Sequence, residues 1–234
     1  MKPHRSILVL ACAVLSGCAH SSRDPFEQWN RAAFALNEAL DDAVVRPVAA
    51  HYSRVVPEPV RRGIANMSAN PGDATSAING LLQGHMDYFL DDLTRFGVNT
   101  SIGLLGFFDV ASEMSIESHH LNFSRTLRTW GVPAGPYIVL PLLGPSTLRA
   151  VVALPLDSQG SVVRWVHAPA ARLAVAGLDT TSRRAQLLPL TRIVDEMALD
   201  KYLLVRDGYL QREGVPSEPS EERSDAPDNA PTGP

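Results

Sequence analysis

Two pairs of ionisable side chains invite a chemical reading: His119-His120 and Asp91-Asp92. Adjacent histidines make a metal or general-base site only if both rings reach one ligand, and neighbours on a helix do not face the same way. Leu121-Asn122-Phe123 follows them, with no carboxylate close in sequence to orient a base. An exposed loop or a cap suits the pair better. Asp91-Asp92 could share a proton as paired acids do. Yet it lies on the polar side of an amphipathic pattern, near Arg95, where a solvated face or a local ion pair accounts for it. Gly144-Pro145-Ser146-Thr147-Leu148 lacks the final glycine of a nucleophile elbow. Neither a Gly-rich phosphate loop nor a His-Glu-x-x-His motif occurs. The sequence offers no positive reason for an enzyme.

Cys18 carries a different chemistry. Met1 to Arg5 is basic, Ser6 to Val14 is a short apolar core, and Leu15-Ser16-Gly17-Cys18 closes it. That is the layout of a signal peptide, too short to span a bilayer. Its ending is similar to a bacterial lipobox, in which the cysteine is acylated and becomes the first mature residue. Covalent acyl chains on Cys18 are the only added group expected; no cofactor or metal is. Cys12 would leave with the signal at 1–17, so no disulfide could form. Ala19 stands where inner-membrane lipoproteins often carry Asp, which by resemblance points to the outer membrane. The tether at 18–23 leaves five residues after the anchor, a reach of about 17 Å.

The elements that would position any site follow from periodicity. Asp24-Pro25-Phe26-Glu27 suggests a capping box, and Phe26, Trp29, Ala33, Leu36 and Leu40 recur at helical spacing. Pro47 marks a kink or a boundary after Arg46, and a second helix is expected after Pro57 along Val60, Ile64 and Met67. Asn70-Pro71-Gly72-Asp73 reads as a turn. Met86, Phe89, Leu90, Leu93 and Phe96 form a firm amphipathic row, followed by the apolar run from Ile102 to Phe108, loosened by Gly103 and Gly106. Two readings fit the span from Ala74 to Ser112: a globular core, or a helix layer lying in one leaflet with its apolar side on acyl chains. Tyr137 to Leu143 reads as a buried extended segment between turns. Helical patterns return at Val162, Trp165, Val166 and Leu173, and at Leu190, Ile193, Val194 and Met197. A last helix should run from Asp200 to about Arg212.

Charge narrows the partners. Loss of Lys2 and Arg5 with the signal takes the formal charge from −4 to −6. Six acids and Arg223 in the tail from Glu213 account for −5 of this, leaving the body at −1. A neutral body has no basic face for nucleic acid. The tail at 213–234, rich in Pro, Ser, Glu and Asp, is expected to be disordered.

The body from Asp24 to about Arg212 resembles the VacJ/MlaA family of phospholipid-transport lipoproteins. The resemblance rests on ordered blocks: Asn30-Arg31-Ala32-Ala33-Phe34-Ala35-Leu36-Asn37, Arg46-Pro47-Val48-Ala49 and Asn79-Gly80-Leu81-Leu82-Gln83-Gly84. Arg95-Phe96-Gly97-Val98-Asn99-Thr100 continues them, with Gly103, Gly106-Phe107 and Asp109-Val110-Ala111. Thr129-Trp130-Gly131-Val132, Leu140 to Ser146 and Tyr209-Leu210-Gln211-Arg212 complete the order. Leu121 to Arg128 departs from the family's usual Glu-Asp-Phe-Gly-Gln-Thr-Leu-Gly, and Ala150 replaces a usual Asp.

The resemblance implies an all-α, single ring-like domain at 24–212, monotopic in the periplasmic leaflet of the outer membrane. It further implies an amphipathic passage for phospholipid, the transported ligand. Partners implied are a trimeric porin and a soluble periplasmic carrier linked to an inner-membrane ABC transporter. The passage is expected to be bordered by Leu36 and Asn37 and by Gly103, Leu104, Gly106, Phe107 and Phe108. Rival classes are a phospholipid-modifying enzyme and a porin-associated scaffold without a passage.

Overall fold

The computed structural model describes residues 24–215; the proposed signal, Cys18, the tether and the acidic tail beyond Val215 lie outside the described residues. Helix α1 (Glu27–Leu40) passes through a π-helical turn (Asp41–Val45) into α2 (Arg46–Val55). A π turn is a common cause of a kink, and this one ends just before Arg46-Pro47, where the sequence places a kink or a boundary. Helices α3 (Glu58–Leu82) and α4 (Met86–Ser101) are antiparallel neighbours joined by a three-residue connection. Short α5 (Val110–Glu113) and α6 (Phe123–Thr129) follow, then a hairpin of β1 (Tyr137–Leu140) and β2 (Gly144–Thr147). Helix α7 (Leu148–Asp157), two 3-10 turns, α8 (Pro169–Met197) and α9 (Lys201–Arg212) complete the chain.

Packing closes these elements into a circuit. α1 packs on β1, β2 on α7, α7 on α6, α6 on α3, α3 on α8, α8 on α2, and α2 leads back to α1. The ring-like expectation therefore has a structural basis in the order of contacts. The hairpin pairs Tyr137 with Thr147 and Leu140 with Gly144 in antiparallel register, and Pro141 sits in its turn, where no ladder bond is lost. Its tip is not buried as the sequence suggested: Leu142 is 79% and Leu143 68% exposed.

The small apolar core joins Ala33, Tyr137, Val139, Tyr202 and Leu210, with Phe34, Tyr209 and Val215 against it. Val215 and Glu213, whose carboxylate lies 2.9 Å from Arg149, extend the folded body three residues past the expected end at Arg212. Asp200 caps α9 by accepting from Leu203 N at 3.1 Å, as its sequence predicts.

Three local expectations fail for identifiable reasons. Asp24 does not cap α1; it is 2% exposed and turns inward to Asn30 Nδ2 (2.7 Å) and to the Tyr202 hydroxyl. Asn70-Pro71-Gly72-Asp73 is not a turn but the middle of α3. Pro71 forfeits one helical hydrogen bond there, while Asn70 and Asp73 on either side are tied to α4. Of Asp91-Asp92, read as a solvated face or a local ion pair, Asp92 is neither: it is 0% exposed and bonded to Ser76 and the His119 amide, while partly exposed Asp91 lies 3.2 Å from His119 Nε2.

Candidate functional site

The polarity of the body is inverted. Among the described residues fifteen buried side chains are polar or charged and nine are apolar, while thirty-five large apolar ones are exposed. Helix α4 shows how this arises. Asp92, Arg95 and Asn99, spaced to share one face, are 0%, 6% and 4% exposed, whereas Met86, Leu90 and Leu93 on the other side are 55%, 54% and 44% exposed. The amphipathic row is correct, and its apolar face points outward. Helix α3 answers with Asn70, Asp73, Ser76 and Asn79 inward and Ile78, Leu81 and Leu82 outward.

The two polar stripes meet and bond to each other and to the segment after α4. Ser76 Oγ donates to Asp92 Oδ2 at 2.5 Å, and Asn70 Nδ2 to Thr100 Oγ1 at 2.8 Å. Arg95 donates to both oxygens of Asp109 at 3.0 and 3.2 Å and to the Ile116 carbonyl at 2.6 Å. Its Nε stands 3.4 Å from Asp73 Oδ2, an ion-pair distance without a hydrogen bond. Asn99 links Asp109 Oδ1 (3.0 Å) to the Ala111 amide (2.9 Å). Burial pushes the Asp73 carboxyl above the ordinary aspartate range against the pull of Arg95. Burial acts on Asp109 too, but bonds from Ser112 and Asn99 and the charge of Arg95 overcome it and hold that carboxyl low. A cleft of about 640 Å³ opens beside these groups, lined by Asn70, Asp73, Arg95 and Asp109.

The segment after α4 is tight rather than loose. Gly106 has φ +90°, and a Cβ there would lie 2.6 Å from Asn70 Cβ; one on Gly103 would strike the Phe108 and Asn99 carbonyls. Both glycines permit close approach of neighbouring groups. The Phe107 ring covers Gly63, while Leu104 (63%) and Phe108 (53%) project outward.

Leu36 and Asn37 sit elsewhere, against the hairpin. Asn37 Nδ2 donates to the Leu140 carbonyl at 3.0 Å and its Oδ1 accepts from Leu142 N at 2.7 Å. Asn30, two turns earlier, repeats the clamp on the Tyr137 carbonyl (3.1 Å) and the Val139 amide (2.7 Å). The amide of Asn37 is thus engaged with backbone, and Leu36, 49% exposed, lies on the outer face. No hydrogen bond or ion pair among the described residues joins this group to Gly103–Phe108. The clamp of Asn30 is not legible in sequence, because the hairpin it holds lies more than a hundred residues away.

His119 is not in an exposed loop. Its ring stacks on Tyr88 with centroids 3.9 Å apart, and Nε2 lies 3.2 Å from Asp91 Oδ2. The carboxylate absent nearby in sequence comes from α4. No group of side chains suited to a metal occurs among the described residues. Where the chain departs from the family pattern, Asn122 caps α6 through Arg125 N at 2.9 Å, and Thr147 caps α7 on the Ala150 amide at 3.4 Å.

The body is a closed circuit of helices and one hairpin, with polar and charged side chains buried and apolar side chains exposed; no described helix is long and apolar enough to cross a membrane. The chain belongs to the MlaA lipoprotein family, whose model matches residues 22–215. It is 35% identical over 226 residues, 91% of this chain and 88% of the relative, to the intermembrane phospholipid transport system lipoprotein MlaA of Shigella flexneri. The protein of the same name from Escherichia coli (strain K12) matches with the same identity and coverage. That from Haemophilus influenzae is 31% identical over 217 residues, 87% of this chain and 86% of the relative. A solved structure reported as "Structural basis for maintenance of bacterial outer membrane lipid asymmetry" superposes with a TM-score of 0.68 at 32% identity. It covers 81% of this chain and 96% of its own.

Proposed function

We propose that this chain is an intermembrane phospholipid-transport lipoprotein that maintains outer-membrane lipid asymmetry. It removes mislocalised phospholipid from the outer leaflet and hands it to a soluble periplasmic carrier. The inverted polarity of α3 and α4 carries the reading. A helix pair that buries Asp73, Asp92 and Arg95 while exposing Ile78, Leu90 and Leu93 is suited to acyl chains outside and headgroups inside. A two-tailed lipid cannot take a fully aqueous route, since each methylene left in water costs about 0.8 kcal/mol.

Acyl chains on Cys18 anchor the body to the periplasmic leaflet of the outer membrane, beside a trimeric porin. Leu36 on α1 and Leu104 and Phe108 on the loop after α4 offer surface to the tails. Asn37, Gly103, Gly106 and Phe107 hold the backbone that carries them. The relatives are named as transport-system lipoproteins. Deleting the gene tests the reading: intact cells should expose more phospholipid to an externally added phospholipase, and the wild-type gene should reverse this. Unchanged surface phospholipid in the deletion would refute it.

A further inference from the structure

A second cleft, of about 430 Å³, opens where α2, α3 and α8 meet, and its size suits a small ligand. Its ionisable walls are Arg61, Arg62 and Glu58, which leaves one cation in surplus. Glu58 lies 3.4 Å from Arg62 Nε, but the two side chains are 65% and 70% exposed, where solvent keeps such a pair weak. Half-buried Arg61 has no carboxylate partner among the described residues. Its Nη1 donates to the Ser53 carbonyl at 3.0 Å. Its Nε and Nη2 meet no acceptor among the described residues, and neither is sealed from solvent.

Ser182 adds an independent signal from α8. It is 2% exposed and lines the cleft. A serine inside a helix can spend its hydroxyl on the carbonyl one turn back, as Ser53 does on Ala49 (2.9 Å) and Ser101 on Gly97 (2.6 Å). Ser182 makes no such bond, nor any other among the described residues, and its Oγ is not a sealed atom. Buried hydroxyls are seldom left unpaired. Two further clefts abut Asn66, which lines all three. The one beside Arg95 sets Asp73, Asp109 and Glu117 against a single arginine. The other, of about 470 Å³, shares Arg62 with the first cleft and Asp109 with the second, and adds Glu113. Of the three, only the cleft at Arg61 has positive charge to spare.

We infer that the cleft between α2, α3 and α8 holds the phosphodiester of a glycerophospholipid, with Arg61 and the Ser182 hydroxyl donating to its oxygens. The inference rests on the phospholipid-transport reading and names the part of the lipid that is recognised. Arginine suits the task because its planar fork of N–H groups matches phosphate oxygens. Ala65, Leu188 and Pro189 in the same walls offer apolar surface to the ester-linked stem. Every glycerophospholipid carries this phosphate. A site that grips it, and not the terminal alcohol, accepts whichever lipid has strayed.

Purified full-length protein in amphipol can be titrated with dihexanoyl phosphatidylcholine and phosphatidylglycerol, with dihexanoylglycerol, and with glycerol phosphate. The two phospholipids should bind within about threefold of each other. Both should bind about tenfold or more tighter than dihexanoylglycerol, which has the same chains and no phosphate. Arg61→Gln should weaken both phospholipids about tenfold or more and leave dihexanoylglycerol unchanged. Ser182→Ala removes a hydroxyl that the fold leaves unpaired, so the protein should stay folded while both phospholipids weaken about three- to tenfold. Affinities equal to that of dihexanoylglycerol, or phospholipid binding unmoved by both variants, would overturn the inference. So would binding of glycerol phosphate with neither phospholipid, since the site would then serve a soluble anion. Binding without phosphate dependence, in a protein whose gene deletion still raises surface phospholipid, would sink this inference alone and leave the transport reading standing.

Discussion

Asparagine and aspartate do the structural work that aliphatic residues do in a water-soluble core. Asn30 uses both ends of its amide on β1, at 3.1 and 2.7 Å, in a fully buried setting. Asn30→Ala would strand a buried carbonyl and a buried amide, so a loss of about 1–3 kcal/mol is expected, read from urea midpoints at constant slope. Asn37→Ala removes a similar clamp near the exposed hairpin tip and should cost less. Acid should weaken the fold through a separate pair. Arg184 grips Asp41 at 2.7 Å and holds its carboxyl below the ordinary value of 3.8. A depressed carboxyl contributes stability in full above its unfolded value and loses it as pH falls through the folded one. The thermal midpoint should therefore drop below pH 3.8, and Asp41→Asn should flatten that drop.

At the scale of elements, α4 shows what could and could not be read in advance. The row from Met86 to Phe96 located the helix, because periodicity depends only on which residues share a face. Periodicity is silent about which face turns inward. A reading that assumes water outside placed Asp92 in solvent, whereas the structure buries it under Ser76 and the His119 amide. Asn70-Pro71-Gly72-Asp73 was misread similarly. Local turn chemistry favours a break, and bonds from Asn70 to Thr100 and from Asp73 towards Arg95 override it. The clamps of Asn30 and Asn37 were illegible since the hairpin they hold lies over a hundred residues on. Two substitutions test the elements. Leu93→Asp lies on an exposed face, so helical content should hold while membrane partitioning falls about ten- to hundredfold, from a lost transfer energy of roughly 1.5–3 kcal/mol. Gly106→Ala should instead unfold the loop locally. Its φ of +90° and its contact with Asn70 leave no room for a methyl group, which hydrogen exchange at residues 102–109 would register.

Across the whole molecule, the circuit from α1 through α8 and back explains how polar side chains from distant segments share one interior. The order of helices and the last helix from Asp200 were legible from caps and spacing. The closure was not, because it depends on contacts such as α2 with α8 that no local pattern encodes. The proposed acylation of Cys18 would add a hold on the membrane beyond that of the apolar surface. Two or more acyl chains are needed for stable anchoring, so wild-type protein should carry their mass on Cys18. Cys18→Ala should lack that mass and be partly released from the outer-membrane fraction. The inverted body is the central claim, and depth-dependent quenching of probes at Leu93, Leu104 and Phe108 in the membrane-bound protein tests it most directly. All three should report acyl-chain depth while a probe at Ser115, beside the polar cleft, reports water. Aqueous surroundings at Leu93, Leu104 and Phe108 would contradict the claim.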